Sequence, residues 1–209
     1  MGDDEQLKSR KRSGSSWREL PVLLAVALVV AFLVRQFVVQ TFFIPSESME
    51  QTLVRDDRVL VNKLVYAFRA PAEGEIIVFR APESWRAVPE QEDFIKRVIG
   101  APGDRVVCCD PQGRIEVNGH PLDEPYVYPG NRMATTDFDI TVPEGRLWVM
   151  GDHREASGDS LANYLSHGQD LEQATIPVDA VIGRAFVLFW PFARATWLTT
   201  PETFTSTAQ

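Results

Sequence analysis

The sequence predicts a mainly β domain preceded by a single N-terminal transmembrane helix. Residues 20–34 form an uninterrupted apolar run. With its continuation to Val39 the run reaches the roughly 20 residues that a helix needs to cross a bilayer. Beyond residue 43 the helical period disappears, and short runs rich in β-branched and aromatic residues alternate with Gly, Pro and Asp. Such regular alternation is typical of all-β domains.

The N-terminal part divides into a cytoplasmic basic tail at 1–18 and a transmembrane helix at 19–40. Residues 6–18 carry five basic side chains and no acidic one, so the positive-inside rule keeps the N-terminus in the cytoplasm. Arg35 interrupts the apolar run and is expected to snorkel to the far interface. This orientation places everything after Val39 outside the cytoplasm.

A cleavable signal peptide is the alternative interpretation of the same segment, because its charged and apolar regions have suitable lengths. The residues after the apolar run, RQFVVQTFF, are too large for a small-residue cleavage site. An uncleaved anchor is therefore favoured. A buried core helix is disfavoured because nothing else in the chain is helical enough to pack around it.

An extracytoplasmic domain is expected at 41–200, followed by a disordered tail at 201–209. The Asn-Gly pair at 118–119 predicts a tight turn. Aromatic residues near the C-terminus, Trp190 among them, either cap the core or contact the membrane surface. The predicted strands are Arg58–Lys63, Glu75–Arg80, Phe94–Ile99, Arg105–Cys109, Arg114–Val117, Leu147–Met150 and Val181–Trp190.

Composition excludes several classes of function. The net charge is −8, and residues 41–209 carry 25 acidic against 15 basic side chains, which argues against nucleic acid as a partner. The only two cysteines, Cys108 and Cys109, are adjacent. A disulfide between neighbours is strained, so free thiols are expected. The three histidines show no metal-ligand spacing, and no metal or cofactor is expected.

Three segments carry candidate chemistry. In the first, residues 43–53, two serines lie in a Pro-led turn, where one hydroxyl can act as nucleophile and the other as donor; a common Ser-rich loop is the plain alternative. In the second, residues 93–104, Lys96 lies among apolar strand residues, where burial would lower its pKa; a solvent-facing lysine is the alternative. The third, residues 149–160, follows an apolar strand with small and charged residues that form either an ion-pair scaffold or a solvated loop.

Taken together, these segments resemble the conserved boxes of bacterial type I signal peptidases, in order and in content. The resemblance covers about residues 20–192. The matching stretches are PSESM at 45–49, GEIIVF at 74–79, FIKRVIGAPGD at 94–104, VMGDHREASGDS at 149–160 and IGRAFVLFWP at 182–191.

The resemblance implies a membrane-bound serine endopeptidase with a signal-peptidase-like β-barrel or sheet and a role for each matching residue. Ser48 corresponds to the nucleophile and Lys96 to the general base of a Ser/Lys dyad. Ser46 would contribute to the oxyanion hole, and Ser157 would orient the lysine. Three charged residues of the third segment would brace the site: Asp152, Arg154 and Asp159.

The implied substrates are signal peptides of exported preproteins, cut after Ala-x-Ala. Membrane lipid and, in proximity, the secretion translocase would be the partners, at the cell membrane. Any accessory β-lobe, at about 101–145, should be small.

The chain departs from the family pattern at three places. Gln51 stands where Pro is frequent, His153 where Asn is frequent, and Leu161 where Arg is frequent. The last change removes a salt-bridge partner expected for Asp159, so the bracing network is expected to differ. Three rival interpretations are disfavoured: a soluble self-cleaving repressor relative, an inactive tethered binding domain, and a hydrolase that uses His153 or His167 as its base.

Overall fold

The computed structural model describes residues 16–131 and 136–205 of the chain. A helix, α1, runs from Ser16 to Phe37, and the first strand begins at Val39. No helix within these residues is long and apolar enough to cross a membrane. The predicted transmembrane helix at 19–40 is therefore not confirmed. Nearly all of the basic tail expected at 1–18 lies outside the described residues.

Twelve strands and two further short helices follow α1 within the described residues. The helices are α2 (Ser160–Ser166) and α3 (Leu171–Ala174). The strands are β1 (Val39–Phe43), β2 (Arg58–Asn62), β3 (Ile76–Arg80), β4 (Asp93–Gly100), β5 (Arg105–Cys108), β6 (Ile115–Val117), β7 (His120–Pro121), β8 (Phe138–Thr141), β9 (Arg146–Met150), β10 (Ile176–Pro177), β11 (Val181–Trp190) and β12 (Thr196–Trp197).

Eight strands form one antiparallel sheet in the order β1-β2-β11-β3-β4-β9-β10, with β12 paired to β11. The other four form a second sheet in the order β7-β6-β5-β8. The mainly β class is confirmed, and all seven predicted strands are present with ends within about one residue of the prediction. The second sheet lies within the region where an accessory lobe was expected.

Strand β4 lies inside the large sheet, between β3 and β9. Its residues from Ile95 to Gly100 are all buried, because apolar clusters pack on both of its faces. Ile95 packs into one cluster with Met49 of the turn after β1, whereas Val98 belongs to another. A lysine at position 96 is therefore withdrawn from water by its strand.

The turn between β6 and β7 was predicted correctly, whereas strand β1 was missed, and both outcomes have local causes. Asn118 and Gly119 both have positive φ, 54° and 80°, as a tight I′ turn between β6 and β7 requires. Strand β1 was missed because Val39–Phe43 directly continues the apolar run of the helix, where composition does not separate helix from strand.

The expectation of free cysteines is wrong. Cys108 and Cys109 form a disulfide, with Cα atoms 3.0 Å apart across a cis peptide bond. Cys108 is buried in the core that joins the two sheets.

The C-terminal segment also differs from the disordered tail expected at 201–209. Residues Glu202–Thr205 form a short 3-10 helix, and Phe204 is 3% exposed. Its ring stacks on Tyr126 at a centroid distance of 6.2 Å and lies against Gly74. A single aromatic anchor thus holds a polar sequence in place. Residues 206–209 lie outside the described part of the chain.

Removal of this anchor is expected to destabilise the domain. Phe204→Ala should lower the free energy of unfolding by about 3 kcal/mol or more, because it leaves a cavity against Tyr126. Urea denaturation of the purified full chain measures this. The matched control is Phe192→Ala, since Phe192 is 76% exposed and should change stability by roughly 0.5 kcal/mol or less. Equal effects of the two substitutions would contradict the anchoring role.

Candidate active site

The turn that carries Ser48 lies between β1 and β2. Met49 and Leu53 are fully buried, and the N–H of Leu53 donates to the carbonyl of Met49 at 2.8 Å. These two apolar side chains fix the turn on the sheet. Ser48 itself is 5% exposed, so its hydroxyl lies in a position that is largely shielded from water.

Lys96 reaches this serine from the middle of β4. Its Nζ donates to Ser48 Oγ at 2.6 Å, and the lysine is 4% exposed. Burial lowers the pKa of Lys96 from 10.5 to about 8, while the carboxylates of Asp159 and Asp152 act in the opposite direction. A substantial neutral fraction near pH 8 makes the amine a competent proton acceptor.

Ser46 lies beside the pair. Its Oγ is 3.3 Å from Ser48 Oγ, a hydrogen bond in which either hydroxyl can donate. Ser46 is half-buried and lines a cavity beside the pair, so its hydroxyl can also turn toward a ligand. The structure thus brings together Ser46, Ser48 and Lys96.

Asp152 is neutralised by an arginine that sequence reasoning missed. Arg97 Nε and Nη2 donate to the two carboxylate oxygens of Asp152 at 2.9 and 2.6 Å, and both side chains are buried. Thr52 Oγ1 adds a third donor at 2.5 Å. Although burial opposes it, Asp152 raises the pKa of Arg97. The sequence offered one indication, because Arg97 directly follows Lys96 in the same buried strand. It did not indicate which acidic residue Arg97 would pair with.

Arg154 has a separate partner, also missed from sequence. Its guanidinium forms a buried ion pair with Glu124, with Nη2 2.5 Å from Oε1. Tyr126 Oη donates to the same carboxylate oxygen at 2.6 Å. The Tyr126 ring also lies under Arg97, 4.0 Å from its guanidinium carbon. The two arginines are therefore joined through one tyrosine.

Asp159 acts on the backbone. Its carboxylate accepts from the N–H of Gly151 at 2.9 Å and from the N–H of Leu161 at 3.1 Å, and it caps α2. Within the described residues, the ion pairs of Asp152 and Arg154 are made with Arg97 and Glu124 rather than with one another or with Asp159; the role of the three residues in bracing the site stays a prediction. Each is satisfied by a different group, and Asp159 reaches backbone donors where the family pattern would supply an arginine.

Ser157 is brought to the site without the hydrogen bond expected of it. Its Oγ lies against Gly151, in contact with the place where a Cβ would be. The atom is buried and has no hydrogen-bond partner among the described residues. Its role toward Lys96 stays a prediction.

A groove of about 200 Å³ opens over the Ser48–Lys96 pair. Most of the side chains that line it are small or apolar, and Gln91, Asp93 and Lys96 are polar. The residues that line the groove include Pro45, Ala87, Phe94, Ile95 and Ala156. Within the described residues no cluster of three potential metal ligands occurs.

Comparison with known proteins gives a consistent result. The family model described as signal peptidase, peptidase S26, matches residues 17–190. The chain is 36% identical to signal peptidase I of Mycobacterium tuberculosis over 92% of its own length and 80% of that protein. It is 32% identical to signal peptidase IB of Staphylococcus aureus MRSA252, over 87% and 93% of the two chains.

Two further matches carry related names. A probable signal peptidase I-2 of Synechocystis is 38% identical over 88% of this chain and 78% of that protein. A solved signal peptidase I of Enterococcus faecalis matches 56% of this chain and 97% of its own, at 27% identity and a TM-score of 0.39.

The buried Arg97–Asp152 pair makes a stability prediction. Asp152→Asn leaves a buried guanidinium without its counter-charge and should cost roughly 3–5 kcal/mol of unfolding free energy. The control is Asp139→Asn, which breaks an exposed pair with Arg105 and should cost about 1 kcal/mol or less. Urea denaturation at pH 7 measures both. Similar losses from the two variants would show that the Arg97 pair is not a buried charge pair in solution.

The burial of Lys96 makes a pH-dependent prediction. Because the pKa falls from 10.5 to about 8 on folding, the unfolded chain binds more protons between these pH values. Stability should therefore rise with pH through this window. Below pH 8 the burial of the charged lysine lowers the free energy of unfolding by about 3 kcal/mol. Lys96→Met should therefore be more stable than the parent chain by about that amount.

Thermal or urea unfolding at pH 7 and at pH 10 provides the measurement. The advantage of Lys96→Met should shrink as the pH rises and be nearly absent above pH 10.5. A difference between the two proteins that stays constant from pH 7 to 10 would contradict a depressed lysine pKa.

Proposed function

Because the chain belongs to the signal peptidase family, peptidase S26, we propose that it cleaves N-terminal signal peptides from exported preproteins with Ser48 and Lys96 as its catalytic pair. It is an endopeptidase of the signal peptidase I type. The observation that carries the residue assignment is the 2.6 Å contact between Lys96 Nζ and Ser48 Oγ, both buried.

In the proposed reaction, neutral Lys96 accepts the Ser48 proton while Oγ forms a bond to the scissile carbonyl carbon. The resulting oxyanion accepts hydrogen bonds from the Ser48 backbone N–H and the Ser46 hydroxyl, a type of donor that commonly contributes about 3 kcal/mol. The Lys96 ammonium then gives its proton to the leaving nitrogen as the C–N bond breaks. Water, deprotonated by the same lysine, hydrolyses the acyl ester and restores Ser48.

The remaining polar residues support this pair. Asp152 and Arg154 hold the loop at 151–157, and Asp159 fixes the Gly151 amide at the start of that loop. Ser157 would orient the Lys96 amine once a substrate closes the groove. The proposal gives these residues no direct part in bond making.

The proposed substrate lies in the groove as an extended strand, which supplies main-chain hydrogen bonds. Small pockets then accept Ala at the first and third positions before the cut and exclude larger side chains. The groove is only about 200 Å³, and the bulky side chains of Trp85, Phe94 and Ile95 in its walls limit the space for substrate side chains, which supports this Ala-x-Ala preference.

The proposal places the enzyme at the cell membrane as a single-pass protein. The apolar run at 20–34 and the basic residues before it support an anchor with a cytoplasmic N-terminus. Strand β1 begins two residues after α1 ends, so the site would lie close to the outer membrane surface. Signal peptides emerge there, in proximity to the translocase and in contact with lipid.

Substitution of either member of the pair should abolish cleavage. Ser48→Ala and Lys96→Ala are each expected to lower kcat/KM on an Ala-x-Ala signal peptide by at least about 10³-fold.

The parent enzyme should gain activity as pH rises through about 8, because Lys96 must lose its proton. Peptide hydrolysis by the purified full chain in detergent measures both effects.

The controls are Lys63→Ala and Ser166→Ala, which change the same residue types away from the groove and should retain parental activity. Far-UV circular dichroism establishes that each variant is folded. Substantial cleavage by folded Lys96→Ala would refute the dyad.

A further inference from the structure

The turn that carries Ser48 contains a strained residue. Gln51 has φ 85°, in the left-handed region that side chains with a Cβ rarely adopt. Such a conformation persists only where neighbouring contacts impose it. The residues on either side of Gln51 make such contacts.

Both neighbours of Gln51 contact the loop at 151–157. Thr52 Oγ1 donates to Asp152 Oδ2 at 2.5 Å. On the other side, Glu50 Oε2 lies 3.3 Å from His153 Nδ1 without hydrogen-bond geometry, a contact that is an ion pair only when the imidazole is protonated. Two consecutive loop residues thus hold the strained position from both ends.

The ring of His153 is itself fixed. It stacks on Tyr128 with centroids 4.3 Å apart and planes 15° apart, and the Tyr128 N–H donates to the Asp152 carbonyl at 2.9 Å. The His153 N–H also donates to the Ser48 carbonyl at 3.1 Å. Since any residue but proline could supply that amide, the imidazole is distinguished by its contact with Glu50.

We propose that His153 is a positioning residue, whose ring holds Glu50 and so keeps Gln51 left-handed and Ser48 Oγ within reach of Lys96. Within the described residues the ring makes no hydrogen bond to Ser48 Oγ, so it acts through the backbone. The inference deepens the proposed function and rests on Ser48 being the nucleophile.

The test uses His153→Ala and His153→Phe, the second of which keeps a ring stacked on Tyr128 but lacks the nitrogen near Glu50. Each should lower kcat on the signal peptide about tenfold while KM stays within about twofold. Glu50→Gln should act in the same direction. Amide hydrogen exchange at residues 48–52 should be about tenfold faster in the His153 variants. The control is His120→Ala, a change at an exposed histidine of β7.

Rescue provides the more specific readout. Glycine adopts a positive φ without a Cβ clash, so Gln51→Gly in the His153→Ala background should recover most of the lost kcat. A merely structural role for His153 predicts no such recovery. If His153→Ala does not fold, His153→Phe provides the same comparison.

Three results would overturn the inference. One is parental kcat in the His153 variants when Ser48→Ala is inactive, which leaves the proposed function intact. Another is a rise in KM without a change in kcat. The third is amide exchange at 48–52 that is as slow in the His153 variants as in the parent chain. This result would overturn the inference even if the parent chain cleaves no signal peptide, an outcome that would refute the proposed function.

Discussion

The site depends on one energetically unfavourable feature, which is the burial of the Lys96 amine beside the Ser48 hydroxyl. Lys96 cannot leave its position, because β4 lies between two strands and apolar clusters pack on both of its faces. Burial disfavours the ammonium and favours the neutral amine that can accept a proton. In the proposed reaction, the same environment that destabilises the fold near neutral pH supplies the neutral amine that accepts the serine proton. Such a conflict between stability and chemistry is common at functional sites.

The acidic groups near Lys96 are arranged so that they oppose this effect only in part. Asp159 and Asp152 both raise the lysine pKa, yet each is engaged elsewhere. Asp152 is bound by Arg97 on both oxygens, and Asp159 accepts backbone N–H groups. Desolvation remains the largest influence on the pKa of the amine. The Arg97–Asp152 ion pair therefore adjusts the electrostatics of the site as well as its shape.

Sequence reasoning predicted the parts of the fold and site that local pattern determines. The seven strands have clear alternation and turn signals, whereas Ser48 and Lys96 were singled out by the resemblance, and the structure brings their side chains within 2.6 Å of each other. Partners distant in sequence could not be predicted. Arg97 is buried by tertiary packing, and Glu124 comes from the region that was predicted only as an accessory lobe. The disulfide and the left-handed Gln51 depend on backbone geometry that residue types do not specify. The resemblance did indicate where to look, since Gln51 and His153 both depart from the family pattern.

The most direct test of the account is an NMR titration of the Lys96 side chain. With ¹³C- or ¹⁵N-labelled lysine in the folded, detergent-solubilised full chain, the Lys96 signal can be assigned by its absence in Lys96→Met. The account predicts a midpoint near pH 8, which is the value to which burial lowers this pKa. A midpoint at the ordinary lysine value of about 10.4 would show that the amine remains a hydrated ammonium, and it would contradict the proposed mechanism.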